Sequence, residues 1–213
     1  MTLAANLEKT DKRQHLLEVA ELLFARHGFE AVSIRELAKE AKVNIAMVSY
    51  YFGSKEGLFE AVLAAKFPKT RERLQELAAN PALSPWEKLA HTVDLYVEKM
   101  MRERDFHRVI MREMSLRQRP ANVKLITTHM AHNLQLIRGF IEEGQAKGIF
   151  RYVDTEMTIA SLFGTISSVI NNGSLLCSML GEVNEDSLFT ATHQNRIKNH
   201  LKAMLQSHLM IIT

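Results

Sequence analysis

At 213 residues, with 46% hydrophobic and 24% charged residues, the chain is sized for one large folded domain or two small ones. Four prolines and nine glycines exclude a loop-rich or disordered chain, and a single cysteine, Cys177, excludes an intrachain disulfide framework and suits a reducing compartment. The net charge of +3 leans basic but is too small to establish a nucleic-acid partner by itself.

The opening segment, Met1 to Arg13, has no apolar core of signal-peptide length. A first helix is predicted from about Asp11 to His27, capped by Thr10, with Asp11 complementing the positive end of the dipole. Leu16, Val19, Ala20 and Leu23 recur at helical spacing and mark its buried face. Gly28 can take the left-handed conformation that ends it. A second helix opens in "SIRELAKEA", where Ser33 and Glu36 stand at capping-box spacing. Lys42, Val43 and Asn44 interrupt the pattern. Asn44 then caps a short third helix, in which Ile45, Val48 and Phe52 face inward and Ala46, Met47, Ser49 and Tyr50 face outward. Gly53 ends it, and Ser54 caps a fourth helix carrying Leu58, Phe59, Val62, Leu63 and Phe67 up to Pro68, where a kink is expected.

"NPALSP", from Asn80 to Pro85, is the clearest break in the chain. Ser84, Pro85 and Glu87 start the fifth helix. A sixth is predicted from about Asp105 to Gln118 and a seventh from Asn122 to near Gly148. The eighth falls in a run from Met157 to Gly181 that contains no charged residue. That run is long enough to cross a bilayer, but Asn171 and Asn172 lie within it and would be costly in lipid. Burial by protein on nearly every side is the expectation instead. A ninth helix carries Ile197, Leu201, Met204, Leu205 and Leu209. The pattern is all-α, about nine helices, with a functional boundary near Gly57 that gives regions 1–57 and 58–213.

Two short helices joined by three residues are the layout of a helix-turn-helix, whose second helix lies in the major groove of DNA. On that reading Tyr50 offers its hydroxyl to a phosphate oxygen, and Ala46 and Met47 reach thymine methyl groups. Met47 could equally be half-buried against the first helix. Ser33 is a cap, and the free amides beside it can also bind phosphate. Arg35 adds a charge in the same turn. Lys55 begins a helix, where a cation opposes the dipole; a nearby phosphate makes the placement intelligible, with plain surface exposure as the alternative. Residues 1–57 carry eight Lys/Arg and eight Asp/Glu, so binding depends on where the charges sit. Removing any one cation that neutralises a phosphate should lower the salt slope by about one unit.

The stretch "LLEVAELLFARHGFEAVSIRELAKEAKVNIAMVSYYFGSKEGLF" resembles the DNA-binding domain of TetR/AcrR-type transcriptional regulators. The matching pieces are Leu-Phe-x-x-x-Gly-Phe at Leu23 to Phe29, Ser-Ile-Arg-Glu-Leu-Ala in the second helix, and Tyr-Tyr-Phe-x-x-Lys-Glu-x-Leu-Phe ending at Phe59. The resemblance implies an N-terminal three-helix DNA-binding domain and a C-terminal helical domain for ligand binding and dimerisation. It also implies an Ω-shaped homodimer joined through the last two long helices, and DNA contacts from Ser33, Arg35, Asn44, Met47, Tyr50 and Lys55. The family's turn commonly reads Ala-Gly-Val; here it is Ala41-Lys42-Val43, and Lys42 could reach the DNA backbone.

The expected partners are a double-stranded palindromic operator, with half-sites roughly 34–36 Å apart, and a small-molecule effector. Candidates for the effector site are Met100, Met101, Phe106, Met111, Met130, Asn133 and Phe163, for which ordinary core packing is the plain alternative. Arg102, Arg104, Arg108, Arg112, Arg117 and Arg119 form a basic cluster, most of it expected to be solvated, one member of which could pair with a ligand carboxylate. His129 and His132 stand at a metal-binding spacing without a third ligand nearby, so no metal, cofactor or catalytic residue is expected. A ligand-responsive cytoplasmic repressor is the leading expectation. A DNA-bound structural or protein-recruiting factor without a switch is the alternative.

Overall fold

The computed structural model describes residues 3–211, with side chains from residue 11 onward. Among the described residues there are ten α-helices and no strand: α1 Leu3–His27, α2 Ile34–Glu40, α3 Ile45–Phe52, α4 Lys55–Ala79, α5 Pro85–Arg102, α6 Arg104–Leu116, α7 Pro120–Ala146, α8 Thr155–Asn171, α9 Gly173–Leu180 and α10 Ala191–Leu209. A 3-10 turn, Glu185–Phe189, precedes α10. The chain forms two compact units, Met1–Pro68 with Asp105–His129, and Lys69–Arg104 with Met130–Thr213. The division therefore falls inside α4 and inside α7.

Local chemistry sets the helix ends. Ser33 and Ser84 both form capping boxes, with Glu36 and Glu87. Asn44, Asp154 and Thr190 cap α3, α8 and α10. α2 ends in a Schellman motif: Val43 N–H donates to Ala38 O at 2.9 Å and Lys42 N–H to Lys39 O at 3.1 Å. That motif needs a left-handed residue, and Lys42 fills it with φ 54°.

Three boundaries differ from expectation. α1 starts at Leu3, so Thr10 lies within the helix rather than before it; the Thr10 side chain is outside the described residues. α7 opens at Pro120, a residue whose missing N–H is no loss in a first turn. The charge-free run is two helices, not one, with α8 and α9 meeting at 89°. Asn172 leaves the helical conformation there, and the next residue, Gly173, packs against Glu185; a Cβ on Gly173 would sit 2.6 Å from the Glu185 carboxyl carbon. α4, by contrast, continues through Pro68 as one helix. Among the described residues no single helix is long and apolar enough to cross a membrane; only the bent α8–α9 pair meets length and composition together.

The first unit is centred on aromatic rings. Phe24, Phe29 and Phe59 are fully buried or nearly so, with centroids 5.3–6.0 Å apart. Phe67 meets Phe106 edge-on at 5.7 Å and stacks on His129 at 5.3 Å. The second unit is aliphatic: Leu89, Val93 and Val97 of α5, Ile137 and Ile141 of α7, Leu162 and Ile166 of α8, and Leu201 and Leu205 of α10 share one core. Lys88 pairs with Glu143 at 2.9 Å and Tyr96 hydrogen-bonds Asn133, which fixes α5 antiparallel to α7. The Lys147 and Lys88 ammonium groups hold the Glu143 carboxyl below the usual carboxylate range.

Candidate functional site

In the first unit, Val48 anchors α3, fully buried. From that anchor the helix turns Ala46, Ser49 and Tyr50 to solvent, and Tyr50 is 71% exposed. Its ring meets Tyr51 edge-on at 5.2 Å, and Arg13 covers Phe52 at 5.2 Å. Met47 is half-buried. Ile45, expected to face inward, is 44% exposed instead. It is the first residue of α3, and helical side chains lean toward the N-terminus; from that position Ile45 leans past the end of the helix. It therefore joins the outward face, a member that periodicity alone assigned to the core. Ser33, Arg35, Lys42 and Asn44 are all exposed, with Ser33 and Asn44 spending their side-chain oxygens on the amides of Glu36 and Ala46 at 3.1 and 2.9 Å.

Lys55 has a structural partner that spacing could not reveal. Its ammonium donates to the carbonyls of Phe29 and Val32 at 3.0 and 3.1 Å and approaches Glu30 O at 3.4 Å. It also lies 4.5 Å from the Phe29 ring centroid. The cation at the start of α4 thus closes the connection between α1 and α2, a reason for its position that requires no phosphate.

The same connection is held by residues far along the chain. Arg119 pairs with the Glu30 carboxylate, accompanies Glu113 at 2.9 Å and sits 4.6 Å from the Phe29 centroid. Glu113 is buried at 4% exposure and also accepts from Asn122 at 2.8 Å. The Arg119 guanidinium holds the Glu30 carboxyl below its ordinary range. At Gly28, where φ is 85°, a Cβ would approach the Arg112 guanidinium carbon to 2.7 Å, so α6 packs directly on the end of α1. The basic cluster is divided: Arg102, Arg112 and Arg117 are exposed, while Arg104, Arg108 and Arg119 are half-buried with acidic partners. Arg104 reaches Asp186 at 3.2 Å and covers Phe189, Arg108 reaches Asp105 at 3.8 Å and Arg102 reaches Glu103 at 3.7 Å.

The effector candidates are divided between the units. Phe106 and Met111 belong to the first; Met100, Met101, Met130, Asn133 and Phe163 belong to the second. Met100, Met101 and Asn133 are buried, and Met130 and Phe163 half-buried. Tyr96, which no sequence motif singles out, stands between Asn133 and Phe163; its ring meets Phe163 edge-on at 4.7 Å. Burial pushes the Tyr96 phenol well above its ordinary range.

On the other side of α8, Met157, Ser161, Gly164 and Ser168 are exposed, and α9 exposes Leu175 and Met179. Burial on nearly every side is therefore not what a single chain provides: one face is buried, and the opposite face from Met157 onward lies open without a charged residue, Asp154 and Glu156 standing at its start. A cleft of about 230 Å³ opens on that face between α8 and α10, with the Thr158 hydroxyl 3.1 Å from His208 Nε2 at its floor. Cys177 is buried in α9, and burial raises its thiol above the usual range, as suits a small hydrophobe rather than a reactive thiolate.

Known proteins bear on this architecture. Residues 16–62 match the family described as bacterial regulatory proteins, tetR family, and residues 82–171 match a tetracyclin repressor-like C-terminal domain. The HTH-type transcriptional repressor NicS of Pseudomonas putida is 33% identical over 146 residues, covering 65% of this chain and 66% of NicS. The "Probable HTH-type transcriptional regulator YttP" of Bacillus subtilis is 29% identical over 138 residues, covering 64% of this chain and 66% of YttP. The match to each thus spans slightly less than two thirds of the relative's length. The ketosteroid transcriptional regulator KstR2 of Mycobacterium tuberculosis shares the fold, with a TM-score of 0.71 at 18% identity over 94% of this chain and 95% of that one. The first unit carries the N-terminal family match and the helical remainder the C-terminal one, and the chain belongs to the TetR family.

Proposed function

We propose that this chain is a DNA-binding transcriptional repressor that reads a palindromic operator as a homodimer and releases it on binding a small-molecule effector. The carrying observation is the outward face of α3. A helix seated by Val48 leaves Ala46, Ser49, Tyr50 and also Ile45 open to a major groove, with the exposed Ser33, Arg35, Lys42 and Asn44 beside it on the same unit. Residues 1–57 would form the reading head and residues 58–213 the body. The uncharged open face of α8, with α10, suits a second copy, as two heads suit a palindrome. The repressor name of NicS and the regulator name of KstR2 point the same way. A cytoplasmic location, and a role that is not enzymatic, accompany this reading.

An effector releases DNA only through its different affinities for the two states. A full reversal of occupancy takes on the order of 5.5 kcal/mol of such difference. Selection of bound fragments from a random duplex pool tests the reading. The expected product is an inverted repeat bound by a dimer, with binding lost in a Tyr50→Ala, Ser49→Ala double variant that keeps its melting temperature. Enrichment of no sequence, or of one unpaired half-site by a monomer, overturns it.

A further inference from the structure

Asn133 is 3% exposed, and its Oδ1 has no hydrogen-bond partner. A buried polar atom left so is uncommon, because its desolvation is not offset. The other end of the amide meets the Tyr96 hydroxyl. With its NH2 group toward the phenol, the amide donates to the phenol oxygen, leaving the phenol O–H as a donor and Oδ1 as an acceptor. With the amide turned over, the phenol donates to Oδ1 and the NH2 group becomes the spare donor, while the phenol oxygen becomes the spare acceptor. Either orientation leaves at least one donor and at least one acceptor to be satisfied. The surroundings are apolar: Tyr96 and Met100 belong to the aliphatic core and Phe163 packs on it. The charges nearest Tyr96 along α5 have partners of their own: Asp94 pairs with Lys202 at 2.7 Å, Glu98 with Lys198 at 2.5 Å, and Lys99 donates to Thr70.

We propose that Tyr96 and Asn133 form the polar end of the effector site, and that the effector is an uncharged apolar molecule carrying a hydroxyl group. This rests on the reading of the body as a sensor. A hydroxyl both donates and accepts, so it completes the pair in either amide orientation. A carboxylate only accepts, so it completes half of the pair in either orientation and brings a charge into apolar surroundings. An ether or an isolated ketone completes half of the pair. The buried phenol remains protonated at any physiological pH, so the donor persists. Phe163, half-buried, and Met100, with its unbranched thioether, are side chains able to yield to an apolar tail.

The test is calorimetric titration of the full chain with 1-octanol, its isomer heptyl methyl ether, and octanoate. Octanol should bind saturably, and the ether and octanoate at least about tenfold more weakly, the cost of one unmade buried hydrogen bond. Asn133→Leu should bring octanol and the ether to equal affinity, and Tyr96→Phe should weaken octanol selectively. Equal binding of octanol and octanoate, or of octanol and the ether, by the natural chain overturns the proposal. So does the absence of saturable octanol binding, which would leave a resident water as the partner of Oδ1. The comparison within the natural chain decides even if a variant fails to fold. Operator release, followed by fluorescence anisotropy, separates the two readings. Asn133-dependent octanol binding without release sinks the sensor and keeps the site. Release by some other compound, in a chain blind to octanol, does the reverse.

Discussion

The two units differ in how far their buried polar groups are paired. In the first, Glu113 is enclosed by Arg119 and Asn122, Lys55 is spent on backbone carbonyls, and Arg119 is spent on two carboxylates and a ring. In the second, Arg71 Nε, Glu103 Oε2, Asn133 Oδ1 and Gln145 Nε2 are buried without hydrogen bonds, against Arg119 Nη2 in the first, which is ion-paired with Glu30. A satisfied network fixes geometry, and an unsatisfied one remains poised for something else. The contrast suits the proposed division into a head that presents one face to DNA and a body that responds to an effector.

The largest expected effect breaks the satisfied network. Glu113→Ala removes one of the two carboxylates on Arg119 and the acceptor of Asn122, and should destabilise the chain by about 2–3 kcal/mol in urea titration, since charged buried hydrogen bonds are lost while Glu30 still pairs the guanidinium. A loss below about 1 kcal/mol would mean that water reaches the site and that the two units differ less than their hydrogen bonding suggests.

The next test uses pH. Burial lowers His107, on α6, from 6.5 to about 4. The unfolded chain then binds more protons than the folded one between those values, so stability is full above about pH 6.5 and falls as pH drops toward 4. Between pH 7 and pH 5 the loss should be about 1–2 kcal/mol. His107→Leu should flatten that part of the pH profile in thermal melts, leaving the carboxylate-linked decline at lower pH.

Lys55→Met sharpens the account of the head. It should lower stability by about 1–2 kcal/mol, because three carbonyls lose a charged donor, while the salt slope of operator binding stays where it was. A slope lowered by about one unit would restore a phosphate contact to this residue. The smallest effect is a gain. Lys42→Gly relieves a left-handed side chain and should stabilise the fold by about 0.5–1 kcal/mol after the greater freedom of unfolded glycine is subtracted. Operator affinity measured alongside shows whether the Lys42 ammonium also served the DNA.

Much of the head is legible in the sequence. Caps at Ser33 and Asn44, the left-handed Gly28 and the outward Tyr50 all follow from local rules that act over a few residues. Lys42 stands out as an oddity, and the Schellman geometry supplies its conformation. Ile45 misleads because periodicity assumes a neighbour that the first residue of a helix does not have. The corner at Asn172 is hidden because an unbroken apolar run carries no record of direction; it depends on Gly173 packing against Glu185, twelve residues on. The same limit hides the roles of Lys55, Glu113 and Tyr96. Each has a partner between 6 and 37 residues away, and such pairings leave no periodic trace.

The clasp on Phe29 bears on how such regulators can be recombined. One cation covering that ring comes from the start of α4 and the other from the connection between α6 and α7. A graft that swaps recognition modules at residue 57, or even at 68, would carry the first and abandon the second, together with the Arg112 seat on Gly28. Transplantable specificity in this chain therefore includes residues 105–129 as well, and a chimera that respects sequence motifs alone would inherit the letters of the reading head without the vice that grips it.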